Sequence, residues 1–127
     1  MKVNPRKVLK KVTQNSEYKI YFNPSCGTAR NTLALLREAN IEPQIVEYLK
    51  NPPSRAELAA LAKQMGGARP LLREKEALAD ELGLKQADDE AILDAIAKHP
   101  ILLNRPVVVS PKGVKACRPA ELVKSII

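Results

Sequence analysis

A chain of 127 residues with 45% hydrophobic and 28% charged side chains is ordinary for one soluble globular domain, long enough to bury a core without metals or disulfides. Its apolar runs are only a few residues long, which excludes a membrane-crossing helix of roughly 20. The net charge of +7 is unevenly placed: residues 1–17 hold five basic side chains against Glu17, and the remaining 110 residues carry only +3.

Residues 1–17 have no hydrophobic period and no apolar segment like that of a secretory signal. They are expected to form a basic, flexible extension serving solubility, with no nucleic-acid role and no membrane role. Residues 18–127 form the domain. Tyr18–Phe22 alternates polar and apolar as a strand does. An Asn23-Pro24-Ser25 corner follows, then a helix from about Thr28 to Asn40 with Leu33 and Leu36 on one face. Glu42-Pro43 breaks that pattern, and Gln44–Leu49 reads as a second strand. Ser54 and Glu57 form a capping box for a helix with Leu58, Leu61 and Met65, stopped by Gly66-Gly67.

From Leu71 to about His99 the chain is predicted helical, with Leu71, Leu72, Leu78 and Leu82 as one stripe ended by Gly83. Asp88 or Asp89 caps a further helix carrying Ile92, Leu93 and Ile96. Val107–Val109 is a β-branched strand, Pro111-Lys112-Gly113 a hairpin turn, and Val114–Cys117 its partner strand. Pro119 opens a last helix over Glu121–Ile127. This order predicts an α/β, thioredoxin-like fold: a mixed four-stranded sheet flanked by helices, with a helical insertion before the last two strands. In such a fold Cys26 and Pro106 lie side by side, and the Arg105–Pro106 bond is expected to be cis.

Cys26 is the first residue or cap of the first helix. The helix dipole and the free amides of the first turn, at Gly27 and Thr28, favour its thiolate. Arg30, one turn on, adds a cation. Cys117 lies in a strand and reads as structural. Both cysteines are expected to be reduced thiols in a cytoplasmic protein. His99, the single histidine, has no partners at metal-ligand spacing, so no metal is expected.

The run Asn23-Pro24-Ser25-Cys26-Gly27-Thr28-Ala29-Arg30-Asn31-Thr32-Leu33 resembles the active-site signature of glutaredoxin-dependent arsenate reductases. The likeness continues through Tyr48-Leu49, Pro52-Pro53-Ser54-Arg55 and Arg69-Pro70-Leu71-Leu72-Arg73. It then runs from His99 to Pro106 and through Cys117-Arg118-Pro119, covering essentially residues 18–127. The resemblance implies that Cys26 is the nucleophile and that Arg73, Arg105 and Arg118 grip the oxyanion. It also implies arsenate as substrate, reduced to arsenite through a covalent Cys26 adduct. Electrons would come from glutathione as co-substrate and from glutaredoxin as partner, with no bound cofactor. At the position four before the cysteine, where the family's best-known members often carry His, this chain has Phe22.

The chemistry of the residues agrees. Arsenate is a tetrahedral anion that must approach an anionic sulfur, so the site needs fixed cations and amide donors. Arginine suits this because its planar fork stays ionised and holds two oxygens. Two other readings use the same fold: a reductase-like protein of different substrate, and an Spx-type regulator. The regulator senses oxidation through a Cys-x-x-Cys pair, and here Ala29 stands at its second position.

Overall fold

The computed structural model describes residues 13–127, with side chains described from Glu17 onward. Most of the basic extension therefore lies outside the described residues. β1 (Thr13–Phe22) starts five residues ahead of the expected Tyr18, so Thr13–Glu17 belong to the sheet. Their strand character comes from pairing: Thr13 and Gln14 lie opposite Ile41 and Glu42, and the register shifts before Lys19. Chain-local pattern carries no trace of that pairing.

α1 (Gly27–Glu38) buries Ala29, Thr32, Leu33 and Leu36, a helical stripe set against the sheet. β2 (Ile41–Glu47) runs parallel to β1 and includes Pro43, expected as a breaker. β2 is an edge strand, where a residue without an N–H leaves no neighbour unpaired. α2 (Arg55–Met65) begins as expected, with the Glu57 amide donating to Ser54 Oγ at 3.0 Å. The Glu57 side chain does not close the box. It accepts a hydrogen bond from the Tyr21 hydroxyl and pairs with Lys19 Nζ at 3.5 Å, tying α2 to β1. Burial and the adjacent carboxylate push the Tyr21 phenol far up.

The middle of the chain is less helical than its leucines suggest. A 3-10 turn over Arg69–Leu71 gives way to an extended segment in which Leu72 bridges Leu103. A five-residue α3 (Ala77–Glu81) and a 3-10 turn over Leu84–Gln86 come next. α4 (Asp89–Lys98) follows, capped by Asp88 through the Ala91 amide at 2.9 Å. The expected single stripe is corrected here: Leu71 is buried at the end of the 3-10 turn and Leu72 in the extended bridge, whereas Leu82 is exposed. A third 3-10 turn, Pro100–Leu102, leads to β3 (Val107–Ser110) and β4 (Gly113–Ala116). The last segment, Ala120–Ile126, is 3-10 rather than α-helical.

The sheet order is β2-β1-β3-β4, with β1–β2 parallel and the other pairs antiparallel. This is the expected mixed four-stranded, thioredoxin-like arrangement. Successive strand residues point to opposite faces, so two cores form. Tyr21 and Val107 face α2, α4 and the leucines of the insertion. Ile20, Phe22 and Val108 face α1 and the C-terminal turn. The peptide bonds Arg105–Pro106, as expected, and Arg118–Pro119 are both cis.

Candidate active site

Everything that fixes Cys26 begins with Asn23, the first residue after β1. Its carbonyl accepts the Cys26 amide at 2.9 Å, and its Oδ1 accepts the Ser25 amide at 2.9 Å. The chain is thereby folded into a corner that ends with Cys26 as the N-cap of α1, and the Cys26 carbonyl receives the first helical bond from Arg30 at 3.1 Å. A cap residue sits where the first-turn amides have no helical partners. Cys26 as a residue is only 9% exposed and is largely desolvated.

Its acidity is the balance of opposed effects. Burial pushes the thiol up; the Ala29 amide and the guanidinium groups of Arg105 and Arg118 pull it down, and together they prevail. Arg118 Nη1 stands 3.7 Å from Cys26 Sγ. The same nitrogen donates to the Arg105 carbonyl at 3.1 Å, which locks the two arginines into one unit. The sulfur is thus held below the usual thiol range, so more of it is thiolate at neutral pH.

The three expected thiolate-stabilising groups act differently. Arg30 Nη1 donates to the Pro24 carbonyl at 2.8 Å, bracing the corner instead of reaching the sulfur. The amide that lowers the thiol belongs to Ala29, the third helical residue, and neither Gly27 nor Thr28 takes that part. Thr28 instead offers its carbonyl to the Thr32 hydroxyl at 2.8 Å.

Arg73 is delivered by the extended middle segment. Its amide donates to the Leu102 carbonyl at 2.8 Å, and the Asn104 amide donates to the Leu71 carbonyl at 2.7 Å. Asn104 adds a side-chain bond to the Pro70 carbonyl at 3.1 Å, and its Oδ1 accepts the Arg105 amide. Arg73, Glu74, Lys75, Asn104 and Arg118 line a cleft of about 460 Å³. Arg118 both lines this cleft and stands 3.7 Å from the Cys26 sulfur, and so links the two. Arg73 Nε lies 3.4 Å from Glu76 Oε2, a partner that its expected role did not include. A larger groove of about 580 Å³ runs along the outer side of α1, past Phe22, Leu33 and Ala34. Neither Arg105 nor Arg118, the guanidiniums that lower the thiol, lines this groove.

Cys117 is fully buried beside Arg118, its thiol 3.6 Å from the Lys115 carbonyl. Burial pushes it up to about 11, against a smaller pull from Lys115. It is a poor nucleophile in a closed position. His99 caps α4 through its backbone, and among the described residues no group of His, Cys, Asp and Glu could hold a metal ion. Nor is any described helix long and apolar enough to cross a membrane. The roles of Asn23, directly after β1, and Asn104, in the connection before β3, were missed in the sequence, although an Asx residue in a connection is a signal for backbone capture.

Comparison with known proteins gives a consistent picture. The ArsC family profile matches residues 21–126. A Rhizobium meliloti (strain 1021) protein named arsenate reductase is 56% identical over 111 residues, 85% of this chain and 79% of that protein. An Escherichia coli arsenate reductase is 48% identical over 115 residues, 88% and 82% of the two chains. Among solved structures, an arsenate reductase from Vibrio cholerae superposes with a TM-score of 0.81 at 42% identity, covering 89% of this chain and all of that one.

Proposed function

The chain belongs to the ArsC family, and from that premise we propose that it reduces arsenate to arsenite through a covalent Cys26 adduct, with glutathione and glutaredoxin as the electron source. The observation that carries this reading is the depressed Cys26 thiol, drawn down by Arg105 and Arg118, with Arg118 3.7 Å from the sulfur and lining a basic cleft. One set of cations activates the sulfur and attracts the anion it attacks.

Arsenate enters the cleft, and Arg73, Arg105 and Arg118 take its oxygens. The Cys26 sulfur forms a bond to arsenic as one hydroxyl of arsenate leaves and is protonated to water. Converting As(V) to As(III) then needs two electrons, hence two further thiols that end as one disulfide. Cys117 is the only other thiol of the chain, and its burial and raised pKa favour a supply from outside. The glutathione sulfur bonds to arsenic as a second hydroxyl leaves as water, and a glutaredoxin thiol then attacks that glutathione sulfur, forming the mixed disulfide as the S–As bond breaks. The electron pair stays on arsenic, and hydrolysis of the remaining S–As bond releases arsenite and restores Cys26. The cytoplasm, which keeps such thiols reduced, is the setting this requires.

Arsenate-dependent NADPH oxidation, coupled through glutathione reductase, tests the proposal. Turnover should depend on glutathione, rise with glutaredoxin, vanish in Cys26→Ser and survive largely intact in Cys117→Ser. Full activity in Cys26→Ser would end it, and turnover without added glutathione would remove the assigned electron source.

A further inference from the structure

Beneath the Cys26 corner sits a polar side chain with no partner. Tyr48 is 0% exposed, and its buried hydroxyl makes no hydrogen bond among the described residues. Buried phenols are ordinarily satisfied, because a desolvated hydroxyl otherwise loses what water gave it. The other buried side-chain atom in this condition is Arg105 Nε. The two are complementary: an arginine Nε–H can only donate, and a phenol oxygen can accept while passing its own proton onward.

Strand register makes them neighbours. The parallel pairing of Phe22 with Glu47 carries Asn23 alongside Tyr48 one step further. The antiparallel pairing of Tyr21 with Val107 brings Asn23 alongside Arg105 two steps further. Asn23, the residue that shapes the Cys26 corner, is therefore flanked by both. The surroundings agree: burial pushes the Tyr48 phenol up, the Arg105 guanidinium and the neutral Asn23 side chain draw it down, and the Cys26 sulfur raises it again.

We propose that Tyr48 is a positioning residue for Arg105: its hydroxyl accepts the Arg105 Nε–H and so aims the two Nη groups at an oxyanion over Cys26. The hydroxyl is too deeply buried to touch the substrate and acts only through Arg105. A guanidinium pinned at Nε presents its remaining donors as a fixed fork, and an unpinned one swings about its last torsion. The argument rests on the reading of the site as an oxyanion reductase.

The variant Tyr48→Phe separates this role from simple filling of the core. A core role predicts an equal or higher Tm, since an unsatisfied hydroxyl is removed, and no change at the sulfur. The positioning role predicts that the pH midpoint for alkylation of Cys26 by iodoacetamide moves upward. It also predicts that KM for arsenate rises about fivefold with a smaller change in kcat. In an Arg105→Met background, which has no Nε–H to hold, adding Tyr48→Phe should change neither quantity further. An unchanged midpoint and KM in the single variant, or fully additive effects in the double one, would overturn the proposal. Should Tyr48→Phe not fold, the wild-type chain decides by NMR: with arsenate bound, Arg105 Hε should show an Overhauser contact to the Tyr48 ring, and its absence counts against the pairing. If the wild-type chain reduces no arsenate, the proposed function fails, and the alkylation midpoint without substrate still tests Tyr48.

Discussion

Arg118 is 92 residues from Cys26 in sequence and 3.7 Å from its sulfur, whereas Arg30, four residues away, is bound to the Pro24 carbonyl. The thiol therefore answers to the distant arginine. Coulomb attraction falls with separation, so the guanidinium 3.7 Å from the sulfur outweighs one engaged with the Pro24 carbonyl. Arg118→Ala should raise the pH midpoint of Cys26 alkylation clearly, and Arg30→Ala should raise it much less. A larger shift from Arg30→Ala would mean that the helix-face cation, not the pair at the cleft, keeps the sulfur ionised. Phe22 belongs to the same scale: it packs in the α1-side core at 8% exposure, so this chain tunes the thiol without a polar group at that position.

At the level of elements, the boundaries follow from short-range chemistry and the exceptions follow from pairing. Ser54 and Asp88 cap α2 and α4 as their sequences indicate, because a side-chain oxygen meets an orphan amide three residues on. Ser54→Ala should cost about 1 kcal/mol of stability, seen as a lower Tm, with arsenate turnover kept. Loss of turnover in a folded variant would tie α2 to the site more closely than its contacts indicate. The insertion is where element reading failed. Leu71 and Leu72 are spaced for a helix, yet the chain leaves its 3-10 turn at Leu71 and is extended at Leu72, because its backbone pairs with Leu102, Leu103 and Asn104. That departure from helix places Arg73 over the cleft.

For the whole molecule, the two cysteines make opposite demands on pH. The Cys26 thiol has a folded pKa below its ordinary value near 9, so it favours the folded state above that value and loses this as pH falls through the folded pKa. Cys117 is raised to about 11, so its contribution is complete below the ordinary value and is lost as pH rises from there through the folded value. A shift of this size corresponds to roughly 2–3 kcal/mol. Between pH 8 and pH 11 the wild-type chain should lose more stability than Cys117→Ala loses over the same interval, followed by thermal or denaturant unfolding. Equal losses would mean that Cys117 ionises without opposing the fold.

Much of the site was legible in the order of residues. A strand, an Asn-Pro-Ser corner and a cysteine at the start of a helix are decided by neighbours a few positions apart, as are the caps and the hairpin. Hydrogen bonds of that range are written in local spacing. Which cations reach the sulfur, why Leu72 is extended, and which buried phenol stands beside Arg105 depend on segments up to 92 residues apart. Those distances exist only once the sheet has set its register and the two cores have closed, because electrostatic grip is governed by separation in space and not along the chain.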